Sequence, residues 1–179
     1  MTALYLIYAA IFGAIIGSFL NVVVYRFHTG RTLTGRSFCP SCARTLAWYD
    51  LVPIASFLYL LGRCRHCRTK ISWQYPLVEM FSALITVSLM SAYIHLGTLF
   101  PGIIEILFSA ILWPLLIVIL TYDFKHKIIP DAFVYAFGIV ALLERIVIGY
   151  LSHFDPVFWV DVFSGVAFFT FFFLIWRVS

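Results

Sequence analysis

Charge is what this sequence has least of. Asp, Glu, Lys and Arg make up 11% of its 179 residues and hydrophobic types 63%, against about 25% and about 45–50% in soluble domains. Aromatic residues add to the imbalance at 19%, so too few polar side chains remain to cover a water-facing surface or to keep a chain disordered. There is no Ser/Gly linker, low-complexity tract or fixed-period repeat, which excludes a second tethered domain and a solenoid. No basic stretch precedes the first apolar run, and that run far exceeds the roughly 7–15 residues of a signal-peptide core, so it reads as a retained helix. Mean hydropathy is +1.02. The chain reads as a membrane protein.

A bilayer core about 30 Å thick needs about 20 mostly apolar residues as helix. Five stretches meet that length: Thr2 to Tyr25, Leu77 to Leu96, Ile103 to Tyr122, Phe133 to Leu151 and Val157 to Trp176. The fold class expected is therefore all-α and polytopic, with about five transmembrane helices. Eight of the twelve Lys and Arg (Arg26, Arg31, Arg36, Arg44, Arg63, Arg65, Arg68 and Lys70) fall between the first two spans, where Asp50 is the only acid, leaving that insert at +7. Lys and Arg collect on the cytoplasmic side, which puts the insert inside and the N-terminus outside. The remaining loops agree: Lys125, His126 and Lys127 fall inside with Arg177, while His95 to Gly102 and Ser152 to Pro156 hold no Lys or Arg and fall outside. The organisation is thus a first helix at 1–25, an insert at 26–76 and a helical core at 77–179.

All four cysteines lie in the insert, as Cys39-Pro-Ser-Cys42 and Cys64-Arg-His-Cys67 with 21 residues between the pairs. That spacing is close to a four-thiolate zinc ribbon. The neighbouring Arg44, Arg63, Arg65 and Arg68 favour the thiolate form that binds metal. A pair of disulfides is the alternative, and a reducing cytoplasmic loop disfavours it. Four thiolates close a tetrahedral shell, so zinc here would fold the insert rather than bind substrate, and His66 would be solvated. The run Leu51 to Leu61 is too short to span and is expected to lie in the inner interface, tying the ribbon to membrane lipid. Topology and anionic lipid account for the +7 charge, so no nucleic-acid partner is expected.

Polar groups at membrane depth are functional candidates by default. Here Glu79, Glu105, Glu144, Arg145 and Asp161 lie near helix ends, where snorkelling is cheap, and Gly13 with Gly17 forms a small-xxx-small pair suited to close helix packing. Asp123 ends the third span at the inner rim. It is either a solvated acid paired with Lys127 at i+4 or a partly desolvated carboxylate tuned for acid/base work. Asp131, after Pro130, reads as a first-turn acid of the fourth span.

Taken together, Gly17-Ser-Phe-Leu-Asn-Val-Val-Val-Tyr-Arg26, the two Cys pairs with Tyr49-Asp-Leu-Val-Pro53 between them, Ile71-Ser-Trp-Gln-Tyr-Pro-Leu-Val-Glu79, and Asp123 with Ile129-Pro-Asp131 resemble the type IV prepilin peptidases. The resemblance runs from residue 13 to the C-terminus. It implies an aspartic endopeptidase of the bacterial inner membrane. Such an enzyme removes the leader of type IV prepilin or pseudopilin precursors at the cytoplasmic face, and many members also methylate the new N-terminus with S-adenosylmethionine. It makes Asp123, at the head of the D-x6-P-D segment, the first catalytic aspartate. The second lies in a G-x-G-D motif, and no Gly-x-Gly-Asp occurs in these residues. Asp131 belongs to the same segment and Asp161 starts its helix at the outer end, about 22 Å from the inner one, so neither supplies the partner. The expectation is a chain that stops short of that motif. A non-catalytic or partner-dependent membrane-anchored zinc module is the alternative.

Overall fold

The computed structural model describes residues 2–27, 29, 32–96, 100–151, 153–154 and 156–178. Its elements are α1 (Thr2–Arg26), a 3-10 turn (Trp48–Leu51), and the helices α2 (Ala55–Tyr59), α3 (Gln74–Leu96), α4 (Phe100–His126), α5 (Asp131–Leu151) and α6 (Pro156–Val178). Among the described residues there are no strands, only the isolated bridges Phe38–Thr45 and Arg63–Lys70 within the insert. The all-α expectation therefore holds. Among the described residues four helices (α1, α3, α4 and α5) are long and apolar enough to cross a bilayer, which makes this a multi-pass membrane protein. Of the fifth expected span, α6 shows a shorter apolar stretch, Phe158–Phe168; the side chain of Arg177 and the loop at 97–99 lie outside the described residues.

α1 packs chiefly against α3, and glycine sets the distance. A Cβ on Gly13 would lie 2.6 Å from the Ser82 carbonyl oxygen, and one on Gly17 would lie 2.7 Å from the Glu79 Cα. The small-xxx-small pair is thus a backbone-to-backbone contact, the arrangement that gives membrane helices dispersion energy without a hydrophobic driving force. The outer face of α1 exposes Tyr8, Phe12 and Phe19, as suits a lipid-facing helix. α4 contains Pro114, tolerated because neighbouring helices shield the freed backbone groups.

The core is concentrated where α1, α3 and α4 meet near the insert, with Val24, Val78, Trp113, Ile117, Val118 and Tyr122 buried together. Ring contacts run across that end: Phe27 meets Tyr122 at 5.4 Å and Phe133 at 4.8 Å between centroids, and Lys125 Nζ sits 5.1 Å over the Tyr25 ring. The end of α4 and the start of α5 therefore lie on the same side of the molecule as the insert. At the opposite end Arg145 of α5 donates to Asp161 of α6. Ionic pairing explains those two groups at membrane depth more simply than chemistry does.

Candidate functional site

The two Cys pairs fold as equivalent halves. In the first, the Cys39 N–H donates to the Arg44 carbonyl at 2.9 Å and the Ala43 N–H to the Cys39 carbonyl at 2.9 Å; in the second, the Cys64 N–H donates to Thr69 at 2.9 Å and the Arg68 N–H to Cys64 at 3.1 Å. Each chain turns back immediately after its second cysteine through a left-handed residue, Ala43 at φ 55° and Arg68 at φ 58°. That conformation favours glycine, and holding another residue in it costs about 1–2 kcal/mol. The turn is what brings the sulfurs together. All four Sγ atoms lie within 4.8 Å of one another, all are free thiols, and Cys39 and Cys67 are 3.8 Å apart. Four ligands at about 2.3 Å from a tetrahedral ion would stand at nearly that separation.

Cys39 and Cys64 are buried while Cys42 and Cys67 are exposed. Hydrogen bonding with the side chain and backbone of Thr69 draws the Cys67 thiol down to about 6. At Cys42 the Arg44 amide pulls the other way, but desolvation and the neighbouring Cys39 and Cys67 sulfurs prevail and push it up to about 11. Cys39 loses some acidity to burial, yet the amides of Cys42 and Ser41 outweigh this and lower it. The residues present thus fit a metal ion: geometry gathers four sulfurs, and hydrogen bonds draw Cys39 and Cys67 toward the thiolate form. His66 is not among the sulfurs' neighbours; its Nδ1 lies 2.9 Å from an Arg44 guanidinium nitrogen and joins the two halves from outside.

Two side chains, Arg26 and Glu79, dock this ribbon onto the helices, and a third, Asp50, ties the insert to itself. Arg26, 6% exposed, donates to the carbonyls of Thr32 at 2.8 Å, Thr34 at 2.7 Å and Arg36 at 3.2 Å. Asp50, the insert's only acid, accepts from Arg65 at 2.7 Å with its own side chain buried. Glu79 of α3 accepts from the Ile54 N–H at 2.7 Å. Sequence reasoning counts Arg26 as loop charge and Glu79 as a snorkelling acid. The sign that Glu79 does more is its place on an apolar helix, where an acid is expensive without a fixed partner. Below the ribbon these residues wall a cavity of about 770 Å3, lined also by Ser18, Asn21, Tyr25 and Lys125. Asn21 donates to the Tyr75 carbonyl at 3.2 Å and ties the α1 wall to the α3 wall.

Asp123 is half-buried on the last turn of α4, between Tyr122, which is buried against α1, and Lys125, which lines the cavity. The i+4 partner expected from the sequence does not pair with it: the Lys127 ammonium sits over the Phe124 ring at 5.6 Å. Lys127 adopts φ 56°, and that turn leads its side chain away from Asp123. Asp131 is exposed in the first turn of α5, where the Pro130 carbonyl accepts from Phe133 and Val134. Asp161 is held by Arg145.

The family model described as the bacterial peptidase A24 N-terminal domain matches residues 11–93. The prepilin leader peptidase/N-methyltransferase of Vibrio cholerae serotype O1 is 33% identical over 159 residues, 80% of this chain and 57% of that protein. The Myxococcus xanthus protein of the same name is 34% identical over 128 residues, covering 71% and 36%. The type 4 prepilin-like proteins leader peptide-processing enzyme of Escherichia coli O78:H11 is 36% identical over 144 residues, covering 70% and 51%. This chain spans about half the length of the curated relatives it matches. No solved structure matches it. With the ribbon, its docking residues and most of α1 falling inside the matched segment, residues 11–93 are similar to the bacterial peptidase A24 N-terminal domain, and the chain is similar to the prepilin leader peptidases.

Proposed function

We propose that this chain acts in removing leader peptides from type IV prepilin-like precursors at the cytoplasmic face of the bacterial inner membrane. The observation that carries the reading is the placement of Asp123 on the ribbon side of the molecule, its helix end packed against α1 through Tyr122 and Lys125. A precursor whose apolar segment lies among the helices would present the junction with its basic leader at that level. Asp123 would be one of two carboxylates sharing a proton, one acting as base toward water and the other as acid toward the scissile carbonyl. No Gly-x-Gly-Asp occurs among the 179 residues, so in this reading the second carboxylate comes from a further segment or a second chain.

Zinc, held by Cys39, Cys42, Cys64 and Cys67, would shape the insert and leave no coordination site open for substrate. The positive-inside rule places the insert in the cytoplasm and the N-terminus outside. Where S-adenosylmethionine is bound it supplies a methyl group. The cavity beneath the ribbon is within the range of a small-molecule site and bears the Glu79 carboxylate, a suitable counter-charge for a sulfonium.

Incubation of a prepilin substrate with membranes containing this chain, with and without a G-x-G-D-bearing partner segment, tests the reading. Leader removal that requires Asp123 supports it. Absence of cleavage under both conditions favours a non-catalytic zinc module instead.

A further inference from the structure

The insert carries a second concavity, a groove of about 450 Å3 between α2 and the bridge that closes the second Cys pair. Phe57, Leu58, Leu61 and Trp73 form its apolar walls, and Arg63 and Lys70 stand at its rim. Those two cations are the opposed pair of the Arg63–Lys70 bridge. Paired residues of an antiparallel bridge put their side chains on one face about 5 Å apart, and like charges there are destabilising. Neither cation has an acidic partner among the described residues: Asp50 is occupied by Arg65 and Asp161 by Arg145.

The apolar wall is equally unexplained by packing within the chain. Leu61 is held at φ 52°, a costly conformation for a side chain with a Cβ, yet it remains 85% exposed. Leu58 and Trp73 are exposed too. Trp73 immediately precedes α3 at Gln74, so it stands at the end of a membrane-crossing helix, the depth at which tryptophan marks the headgroup region. Its ring lies 4.9 Å from that of buried Phe57, which fixes α2 at the same depth.

We infer that this groove binds one anionic phospholipid. Arg63 and Lys70 hold the headgroup phosphate, which relieves their mutual repulsion, and the upper acyl chain covers Leu58, Leu61 and Trp73. A soluble anion would satisfy the cations but leave the leucines and the indole in water, whereas a phospholipid satisfies both and is already present at that depth.

The test uses the full chain in nanodiscs of equal phosphatidylglycerol and phosphatidylcholine, with the lipid retained after mild detergent extraction identified by mass spectrometry. About one phosphatidylglycerol per chain is expected, with an enrichment over phosphatidylcholine of about tenfold or more, given roughly 1 kcal/mol per basic residue near an anionic surface. The Arg63→Gln/Lys70→Gln double variant should bring retention close to parity, and Leu61→Ser should lower it several-fold. An Arg36→Gln/Arg44→Gln variant, which loses the same charge on the other half of the ribbon, should retain the lipid. Metal content of each sample reports whether the ribbon has folded. Equal losses in both double variants would mean diffuse attraction without a site, and parity in the unmodified chain, or loss of the lipid on adding inorganic phosphate, would equally overturn the assignment.

Discussion

Glu79 Oε2 lies 2.7 Å from the Ile54 amide nitrogen, twenty-five residues away in sequence. Ile54 adopts φ 61°, a conformation rare for a β-branched residue and costing about 1–3 kcal/mol unless its surroundings hold it. Glu79 is what holds it. The bond joins α3 to the entry of α2 and closes one wall of the cavity beneath the ribbon. Glu79→Ala leaves the Ile54 N–H without its acceptor, and should destabilise the insert by about 1–3 kcal/mol. Limited proteolysis should then cut between Tyr49 and Leu61 at a higher rate, while Glu79→Gln, which keeps a carbonyl oxygen in reach, should protect largely as the unmodified chain does.

The contact between α1 and α3 tolerates no side chain at two places. A Cβ on Gly13 or Gly17 meets α3 backbone atoms at 2.6 to 2.8 Å, and backbone cannot swing aside as a side chain can. Gly17→Ala should force the helices apart and cost about 1–3 kcal/mol, seen as a lower unfolding midpoint in detergent. Gly165, where an added Cβ would meet nothing within 4 Å, is the control: Gly165→Ala should be neutral or slightly stabilising, since alanine is the better helix former.

The ribbon should contain one metal ion, zinc in the cell, through Cys39, Cys42, Cys64 and Cys67. Purified protein should show about one equivalent by elemental analysis, and each Cys→Ser variant should lose it together with the protease resistance of the insert. Metal-free protein with two intact disulfides would overturn the assignment.

How far the sequence can be read depends on the range of the interaction concerned. The spans are legible because twenty apolar residues in a row have few other solutions, yet α3 begins at Gln74, earlier than hydropathy alone places it. Its first turn is polar, and is held by the Ser72 hydroxyl accepting from the Gln74 N–H and by Asn21 at the Tyr75 carbonyl. The four cysteines are legible from spacing. The left-handed turns that complete their geometry are not, because Ala43 and Arg68 stand where glycine would have announced them. Glu79 and Arg26 are recognisable as charges but not as anchors, since their acceptors and donors lie in segments whose approach only the fold determines.

Orientation rests on the +7 insert. Single cysteines introduced at Thr2 and Lys125 into a variant whose native cysteines are metal-bound or replaced should be distinguishable in intact cells. An impermeant maleimide should reach position 2 from outside and reach position 125 only after the membrane is opened. Labelling at position 125 alone in sealed cells would reverse the orientation, and with it the face at which Asp123 is proposed to act.

Asp123 is the residue on which the proposed chemistry depends. It is half-buried at the end of α4, and neither Lys127, which turns to the Phe124 ring, nor any other described cation neutralises it through an ion pair. Asp131 is exposed in the first turn of α5, where a carboxylate favours the positive end of the helix, and Asp161 is committed to Arg145. In a preparation that processes a prepilin, Asp123→Asn should lower the turnover by about 10²–10⁴-fold, because an amide can neither accept the proton from water nor share one with a second carboxylate. Asp131→Asn should retain most of the activity and lose only a little helix stability, about 0.3–1 kcal/mol. Asp161→Asn should leave the turnover essentially unchanged. Substrate binding should survive the Asp123 change, so that the loss is seen in kcat rather than KM. An Asp123→Asn protein that cleaves at the normal rate, or an Asp131→Asn protein that does not cleave at all, would place the chemistry on a different carboxylate.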